Sequence, residues 1–386
     1  MQTIFMDHHA TTPVDPRVLD AMLPYFTERF GNAASRNHAW GREAQRAADF
    51  ARKQIADLIH CDPSEIIFTS GGTESNNMAL KGIAETYREK GNHLITAATE
   101  HKSVLDAGNR LEKNGMKVTV LPVNSFGQVC PNDVAAAILP STILISIMAA
   151  NNEIGTIQPI REIGEIAKAA GVLFHSDAIQ AVGKIPVDVQ EMNLDMLSLS
   201  AHKIYGPKGI GALYIRKKNP KVRLATLLDG GGQENGLRPG TLNVPGAVGF
   251  GKAAEICANE MPEESRRLTK MREALKETLF QGLSDVVLNG HPSDRLPNNL
   301  NISFAHIEGE SLMMELKEIA LSSGSACMTG QIEPSYVLKA LGMTNDLAHG
   351  ALRIGLGRFN TDDEVCYTGG RVIEAVKKLR RMSPVL

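Results

Sequence analysis

The chain has 386 residues, enough for about two or three domains, or for one large domain and a smaller one. Its 41 Lys and Arg residues nearly balance 43 Asp and Glu residues, which argues against a nucleic-acid-binding or membrane-surface protein. Hydrophobic residues make up 43% and charged residues 22% of the chain, as in ordinary globular proteins with a large core.

The five cysteines form no CxxC pair and show no regular spacing, so neither a disulfide framework nor a zinc site is indicated. The first residues lack a basic region followed by an apolar stretch, and we expect no signal peptide. The uncharged run 134–152 is interrupted by Pro140 and several hydroxyl residues, which indicates a helix end, a turn and a buried strand rather than a membrane span. A cytoplasmic location without membrane partners is predicted.

Between about residues 40 and 215, apolar runs predict alternating helices and strands. The predicted strands are 65–70, 93–97, 117–122, 142–148, 172–175, 196–200 and 212–215. The predicted helices are 44–59, 73–90, 103–114, 132–139 and 160–170. Because the strands are apolar and rich in β-branched residues, we expect an α/β fold with a mostly parallel sheet covered by helices on both faces.

The pattern changes after this region. A long helical stretch, 245–282, is predicted to break near Pro262. It is followed by predicted strands at 299–304 and 351–356 and predicted helices at 309–317, 334–341 and 361–381. We expect a large cofactor-binding domain over 15–260, and a small α+β domain formed by 261–386 together with 1–14.

The segment 68–76 (FTSGGTESN) leads from a strand through two glycines into a helix. Backbone N–H groups around Gly72 and the hydroxyl of Thr73 could bind an anion such as phosphate there. The alternative is a plain strand-to-helix turn with Thr73 as a helix cap. No Walker motif occurs, and the GxGxxA match at 249–254 lies in a helical stretch, which disfavours a dinucleotide fold.

Two further motifs place polar residues after strands. Asp177 and Gln180 follow an apolar strand, and open α/β sheets bind ligands at such positions. Asp177 could pair with a protonated ring nitrogen, or it could cap a helix.

Lys203 follows the next strand and precedes a glycine-rich turn. A half-buried lysine there suits a Schiff base, whereas Lys208 is better explained as solvated. Together with the predicted phosphate site at Thr73, these residues are what a pyridoxal phosphate enzyme requires.

The chain also resembles the cysteine desulfurases of the NifS/IscS type, which belong to the class-V aminotransferases, over nearly its whole length. The segments that carry the resemblance are 10–15 (ATTPVD), 30–32 (FGN), 99–102 (TEHK), 151–155 (NNEIG), 202–209 (HKIYGPKG), 238–241 (RPGT), 322–327 (SSGSAC) and 353–359 (RIGLGRF).

The resemblance implies a type I aminotransferase fold and pyridoxal 5′-phosphate as the cofactor. It implies that Lys203 carries the cofactor covalently, that His101 stacks on its ring, that Asp177 pairs with the ring nitrogen and that Gln180 bonds the phenolic oxygen. The residues implied to hold the phosphate are Gly72, Thr73, Ser200, His202 and, from the second subunit of a homodimer, Thr241.

The resemblance further implies that Asn152 and Arg353 hold the carboxylate of L-cysteine, with Asn152 also next to the cofactor. Cys327 is implied to take the sulfur as a persulfide, leaving L-alanine, and to pass it to an acceptor such as an iron–sulfur scaffold protein or a thiol. The alternatives are a selenocysteine lyase, another class-V aminotransferase-family enzyme, or a cofactor-binding protein without turnover.

Two other groups of residues have plainer interpretations. His8 and His9 could suggest a metal, but adjacent histidines rarely ligate one ion and no further ligand stands at motif spacing, so no metal site is predicted. Four other cysteines are interpreted as inert core or surface thiols: Cys61, Cys130, Cys257 and Cys366.

Overall fold

The computed structural model describes residues 3–323 and 334–382. In that part of the chain the strands are β1 (Ile4–Phe5), β2 (Ile66–Thr69), β3 (His93–Ala97), β4 (Lys117–Leu121), β5 (Thr142–Ser146), β6 (Leu173–Asp177), β7 (Met196–Ser200), β8 (Gly211–Ile215), β9 (Val286–Leu288), β10 (Asn299–Phe304), β11 (Ile319–Ala320), β12 (Ser322–Ser323) and β13 (Ala351–Gly355). The helices are α1 (Pro16–Met22), α2 (Pro24–Thr27), α3 (Ala39–Ile59), α4 (Gly72–Thr86), α5 (Lys102–Lys113), α6 (Pro131–Ala137), α7 (Ile160–Ala170), α8 (Val244–Gly282), α9 (Gly309–Glu315), α10 (Tyr336–Ala340), α11 (Asn345–His349) and α12 (Asp362–Met382).

The larger sheet among the described residues has the strand order β2-β8-β7-β6-β5-β3-β4. Strands β3 to β7 pair in parallel, whereas β8 is antiparallel to both of its neighbours. All five residues of β3, β5 and β7 are buried, because helices cover both faces of the sheet. The predicted α/β fold with a mostly parallel sheet is therefore confirmed.

A smaller antiparallel sheet has the order β12-β13-β10-β9, and β1 pairs with β11 in parallel. The hydrophobic core next to the smaller sheet includes Leu300, Ile302 and Phe304 of β10, all fully buried, and Met6 from the N-terminal segment. The early residues of the chain therefore pack with residues about 300 positions later.

Helix α8 connects the two cores. Phe250 and Ala254 in its first half pack in the core of the larger sheet, and Leu275 and Leu279 in its second half pack in that of the smaller sheet. The predicted break at Pro262 is wrong, because α8 continues through this residue. Pro262 lies on an exposed face, where water can bond the carbonyl that a proline leaves without an N–H partner.

Three of the predicted strands end at the candidate site, and two of them have the bounds that the sequence predicts. Strands 93–97 and 196–200 have the predicted bounds, whereas β6 extends two residues beyond the predicted end and includes Asp177. No α-helix begins directly after Asp177, where the described chain forms turns, so its alternative interpretation as a helix cap is wrong.

Candidate active site

Parallel strands bring the predicted residues together, because their carboxyl ends meet at one edge of the sheet. Asp177 ends β6, Ser200 ends β7 and is followed by a single 3-10 turn ending at Lys203, and His101 lies four residues after β3. A cavity of about 330 Å³ opens there. It is lined by His9, Ala10, Gly72, Thr73, His101, Met148, Asn152, Asp177, Ile179, Gln180, Ser200, His202, Lys203 and Arg353.

One end of the cavity is suited to an anion. Helix α4 begins there, and no side chain caps its N-terminus. Gly71 has a φ of +155°, which residues with a side chain rarely adopt, and a Cβ on Gly72 would lie 1.9 Å from Cδ1 of Ile179, so a larger residue at position 72 would require the Ile179 side chain to move. The open backbone N–H groups, together with Thr73 and Ser200 on the cavity wall, provide donors for a phosphate.

His202 completes this end of the cavity as a neutral group. Its Nδ1 lies 3.2 Å from Oγ1 of Thr11. Burial, and next the charge of Lys203, lower the His202 pKa to about 4. A neutral imidazole of this kind can donate one hydrogen bond to a phosphate oxygen from its other nitrogen.

A carboxylate stands in the interior of the cavity. Asp177 is buried and accepts hydrogen bonds from Nδ2 of Asn76 at 2.7 Å and from the backbone of Ile179 at 3.0 Å. Burial raises the Asp177 pKa, whereas His101 and the hydrogen bond from Asn76 act in the opposite direction. Such a carboxylate gains from a positively charged partner, and a protonated ring nitrogen provides one.

His101 is connected to this carboxylate through two side chains. Its Nδ1 lies 2.8 Å from Oγ of Ser103 and accepts a bond from the Ser103 backbone at 3.1 Å. Ser103 Oγ in turn accepts a hydrogen bond from Asn76, which also donates to Asp177. Because Nδ1 of His101 is an acceptor, a neutral ring carries its proton on Nε2.

Lys203 reaches into the cavity with an amine that is easily deprotonated. Its Nζ donates to the carbonyl oxygens of His9 and Ala10, both at 2.6 Å. Burial, and then the charge of Arg353, lower the Lys203 pKa to about 8, against the opposing influence of Asp7 and Asp177. A lowered pKa increases the fraction of free amine, the form that reacts with an aldehyde.

Arg353 marks the opposite end of the cavity. Its guanidinium donates to the backbone oxygen of Asn152 at 3.1 Å, to Asp7 at 2.8 Å and to Oγ of Ser322 at 3.0 Å. Nε of Arg353 and Oδ1 of Asn152 are buried without a hydrogen-bond partner in the described chain. An amino acid in the cavity could satisfy both atoms, because its carboxylate accepts a hydrogen bond from Nε of Arg353 and its amine donates one to Oδ1 of Asn152.

Two predicted residues are not part of this assembly. Thr241 is exposed and does not line the cavity of its own chain. Cys327 lies outside the described residues. Of the other cysteines, Cys130 and Cys366 are exposed, while burial raises the pKa of the Cys257 thiol to about 12.

Several residues of the site were missed by the sequence reasoning. His9, at a position where the sequence predicted no metal site, lines the cavity, and its Nδ1 lies 3.0 Å from Oε1 of Gln180. Asn76 lies one helical turn after Gly72, inside the glycine motif itself, so its position offered a signal. Lys184 is buried behind the cavity and donates to Gln180, which no sequence pattern indicated.

The residues present fit pyridoxal phosphate. The cavity combines an anion-binding helix start, a carboxylate for a ring nitrogen and a reactive lysine, and its far end has unpartnered polar atoms at Asn152 and Arg353. Fold and site together define a pyridoxal-phosphate-dependent enzyme of the type I aminotransferase fold.

Comparisons with known proteins agree with this assignment. The sequence profile of the family described as Aminotransferase class-V matches residues 4–367. The cysteine desulfurase IscS of Anaeromyxobacter sp. (strain Fw109-5) is 56% identical over 382 residues, covering 99% of this chain and 94% of that protein. The cysteine desulfurase of Homo sapiens is 54% identical over 385 residues, covering 100% of this chain and 84% of the human one.

Solved structures give the same result. A NifS-like protein superposes with a TM-score of 0.91 at 39% identity, over 98% of this chain and 100% of its own. SspA in complex with cysteine superposes with a TM-score of 0.82 at 39% identity, over 93% of this chain and 100% of its own. The chain belongs to the aminotransferase class-V family, and within it to the cysteine desulfurases. Its cofactor is pyridoxal phosphate, as predicted.

No helix in the described part of the chain is long and apolar enough to cross a membrane.

Proposed function

We propose that this chain converts L-cysteine to L-alanine and transfers the sulfur to its own Cys327 as a persulfide. The observation that carries this proposal is the convergence of Lys203, Asp177 and the α4 N-terminus on one cavity, with Arg353 at its far end. The relatives that share more than half of the sequence bear the name cysteine desulfurase.

The residues that line the cavity have different roles in the proposed reaction. Bound pyridoxal phosphate would supply an aldehyde that condenses with amines and a ring that accepts an electron pair. Thr73, Ser200 and His202 would hold its phosphate, and Asp177 would keep a proton on its ring nitrogen. Lys203 would take the Cα proton of cysteine, because its lowered pKa makes the free amine available near neutral pH.

Arg353 and Asn152 orient the substrate through its carboxylate. The donors that remain on the guanidinium are Nε and one N–H of Nη1, because Nη2 bonds Asp7 and Ser322 and Nη1 also donates to Asn152. In the transfer step the Cys327 thiolate attacks the sulfur of cysteine. An S–S bond forms as the C–S bond breaks, and the carbon retains the electron pair and gains a proton to become alanine.

Several finer features belong to the same proposal. The enzyme acts as a homodimer in which Thr241 of one subunit contacts the phosphate in the other. The exposure of Thr241 and its absence from the lining of its own cavity support this. The large domain covers 15–260 and the small one 261–386 with 1–14, which the separate packing of the two halves of α8 supports.

The enzyme works in the cytoplasm and supplies sulfur for iron–sulfur cluster assembly, through a scaffold protein or a thiol.

The purified protein, loaded with cofactor and incubated with L-cysteine and a reducing thiol, tests the proposal. Alanine and sulfide should form in equal amounts without any keto acid. A requirement for a keto acid would indicate an aminotransferase. Turnover with selenocysteine alone would indicate a selenocysteine lyase.

A further inference from the structure

A second buried lysine lies behind the cavity and has no part in the scheme above. Nζ of Lys184 donates to the backbone oxygen of Gln180 at 3.2 Å and to its side-chain oxygen Oε1 at 2.9 Å. The residue is only 8% exposed, although lysines are rarely buried without a specific reason.

These contacts determine which way the amide of Gln180 points. A lysine has donors but no acceptor in its charged form, so the atom that faces Nζ must be the oxygen of the amide. His9 then donates from Nδ1 to the same Oε1 at 3.0 Å, and Gln180 donates from Nε2 to the carbonyl of His9 at 3.0 Å. One N–H of Nε2 remains, and Gln180 lines the cavity.

The position of Lys184 is itself held firmly. Its backbone oxygen accepts a hydrogen bond from Oγ of Ser265 in α8 at 2.6 Å. The preceding Gly183 has a φ of +74°, and a Cβ there would lie 2.8 Å from Sγ of Cys257. The turn that carries Lys184 is therefore packed closely against α8, and the lysine has little freedom to move away from Gln180.

The surroundings of Lys184 hold few compensating charges. Burial and then the charge of Lys203 lower the Lys184 pKa to about 7, against Cys257 and Glu264. His8, His9 and His202 are the other titratable groups on which its charge acts. In both of its charge states the amine has enough N–H groups to donate to both oxygens of Gln180.

We propose that Lys184 is a positioning residue that holds the amide of Gln180 in one orientation, with its N–H group directed to the phenolic oxygen of the cofactor. The inference rests on the proposed function, since it requires pyridoxal phosphate in the cavity. A donor to that oxygen stabilises its negative form and so lowers the pH at which the bound cofactor changes its absorption.

The test uses the cofactor-loaded enzyme and follows the absorption of the bound cofactor against pH. Lys184→Met, which keeps the side-chain length without a donor, should raise the midpoint by about 0.5–1 pH unit, as should Gln180→Leu. In the double variant Lys184→Met should add almost nothing to Gln180→Leu. Lys184→Gln, which retains an uncharged donor, should recover part of the shift, and Lys208→Met, at an exposed lysine in the next loop between β7 and β8, should cause none.

An equal shift from Lys184→Met with and without Gln180 would overturn the inference, because the lysine would then act directly through its charge. An unchanged midpoint in a fully loaded Lys184→Met enzyme would also overturn it, while leaving the proposed function intact. A wild-type protein that binds no cofactor and shows no absorption would contradict the proposed function as well.

Discussion

Asn76 donates a 2.7 Å hydrogen bond to the carboxylate of Asp177 at a depth where neither residue is more than 3% exposed. Burial alone would favour the protonated acid, because a carboxylate loses its hydration there. The hydrogen bond from Asn76 acts against this effect and stabilises the charged form. Asn76 is therefore important for the ability of Asp177 to hold a protonated ring nitrogen.

Replacing Asn76 by leucine should reduce kcat by about 10- to 100-fold. A hydrogen bond to a charged group contributes about 1.5–3 kcal/mol, and each ~1.4 kcal/mol corresponds to a factor of ten in rate. Steady-state kinetics on cofactor-loaded protein measure the effect. Asn77→Leu is the matched control, since Asn77 lies next on α4 and its side chain donates to the backbone oxygen of Thr73 rather than to Asp177. Full activity of Asn76→Leu would show that Asp177 needs no such support.

Attachment of the cofactor to the apoprotein should accelerate with pH and level off near pH 8. The free amine of Lys203 is the reactive form, and it predominates above its pKa of about 8. Below that pH the rate should fall by about tenfold per unit, because the free-amine fraction does. Stopped-flow absorption gives the rates. A rate that keeps rising toward pH 10, as for an ordinary lysine, would contradict the lowered pKa.

The attachment site itself can be mapped. Borohydride reduction should fix the cofactor on Lys203, and Lys203→Ala should abolish turnover, whereas the exposed Lys208 should remain unlabelled. Peptide mass spectrometry identifies the labelled lysine. A label on Lys208 would refute the assignment of Lys203.

Arg353→Lys should weaken the use of L-cysteine without loss of cofactor. A lysine ammonium cannot donate from the positions of both Nε and Nη1 of Arg353, and each lost charge-assisted bond is worth about 1.5–3 kcal/mol. We expect kcat/KM to fall by at least about tenfold, with KM raised. Arg371→Lys, which alters a part-exposed pair with Glu318, serves as the control. Loss of cofactor with an unchanged KM would place Arg353 in cofactor binding instead.

Much of this site could be predicted from the sequence, because its main residues follow apolar strands. Asp177 and Lys203 could be located in this way, since parallel strands end at one edge of the sheet. The contact of His9 with Gln180 could not, because it joins residues 171 positions apart and depends on how the N-terminal segment packs. The continuity of α8 through Pro262 was also missed, since it depends on which face of the helix meets water.

A shared active site should be revealed by mixing two inactive variants. Thr241→Ala and Lys203→Ala subunits, combined as heterodimers, would contain one site without either change. Activity should therefore return on mixing, as followed by alanine formation. An active monomer in solution would contradict the homodimer and the role of Thr241.

The transfer of sulfur from L-cysteine to Cys327 can be tested in a single turnover. Cofactor-loaded enzyme is mixed with L-cysteine in the absence of other thiols, and alanine is measured while the protein is mapped by mass spectrometry. About one alanine should form per active site, and one added sulfur atom should be found on Cys327. Cys327→Ser should still change the cofactor spectrum while forming almost no alanine. The transfer to Cys327 would be contradicted by near-normal alanine formation in Cys327→Ser. It would also be contradicted by an added sulfur in the wild type on another cysteine: Cys61, Cys130, Cys257 or Cys366.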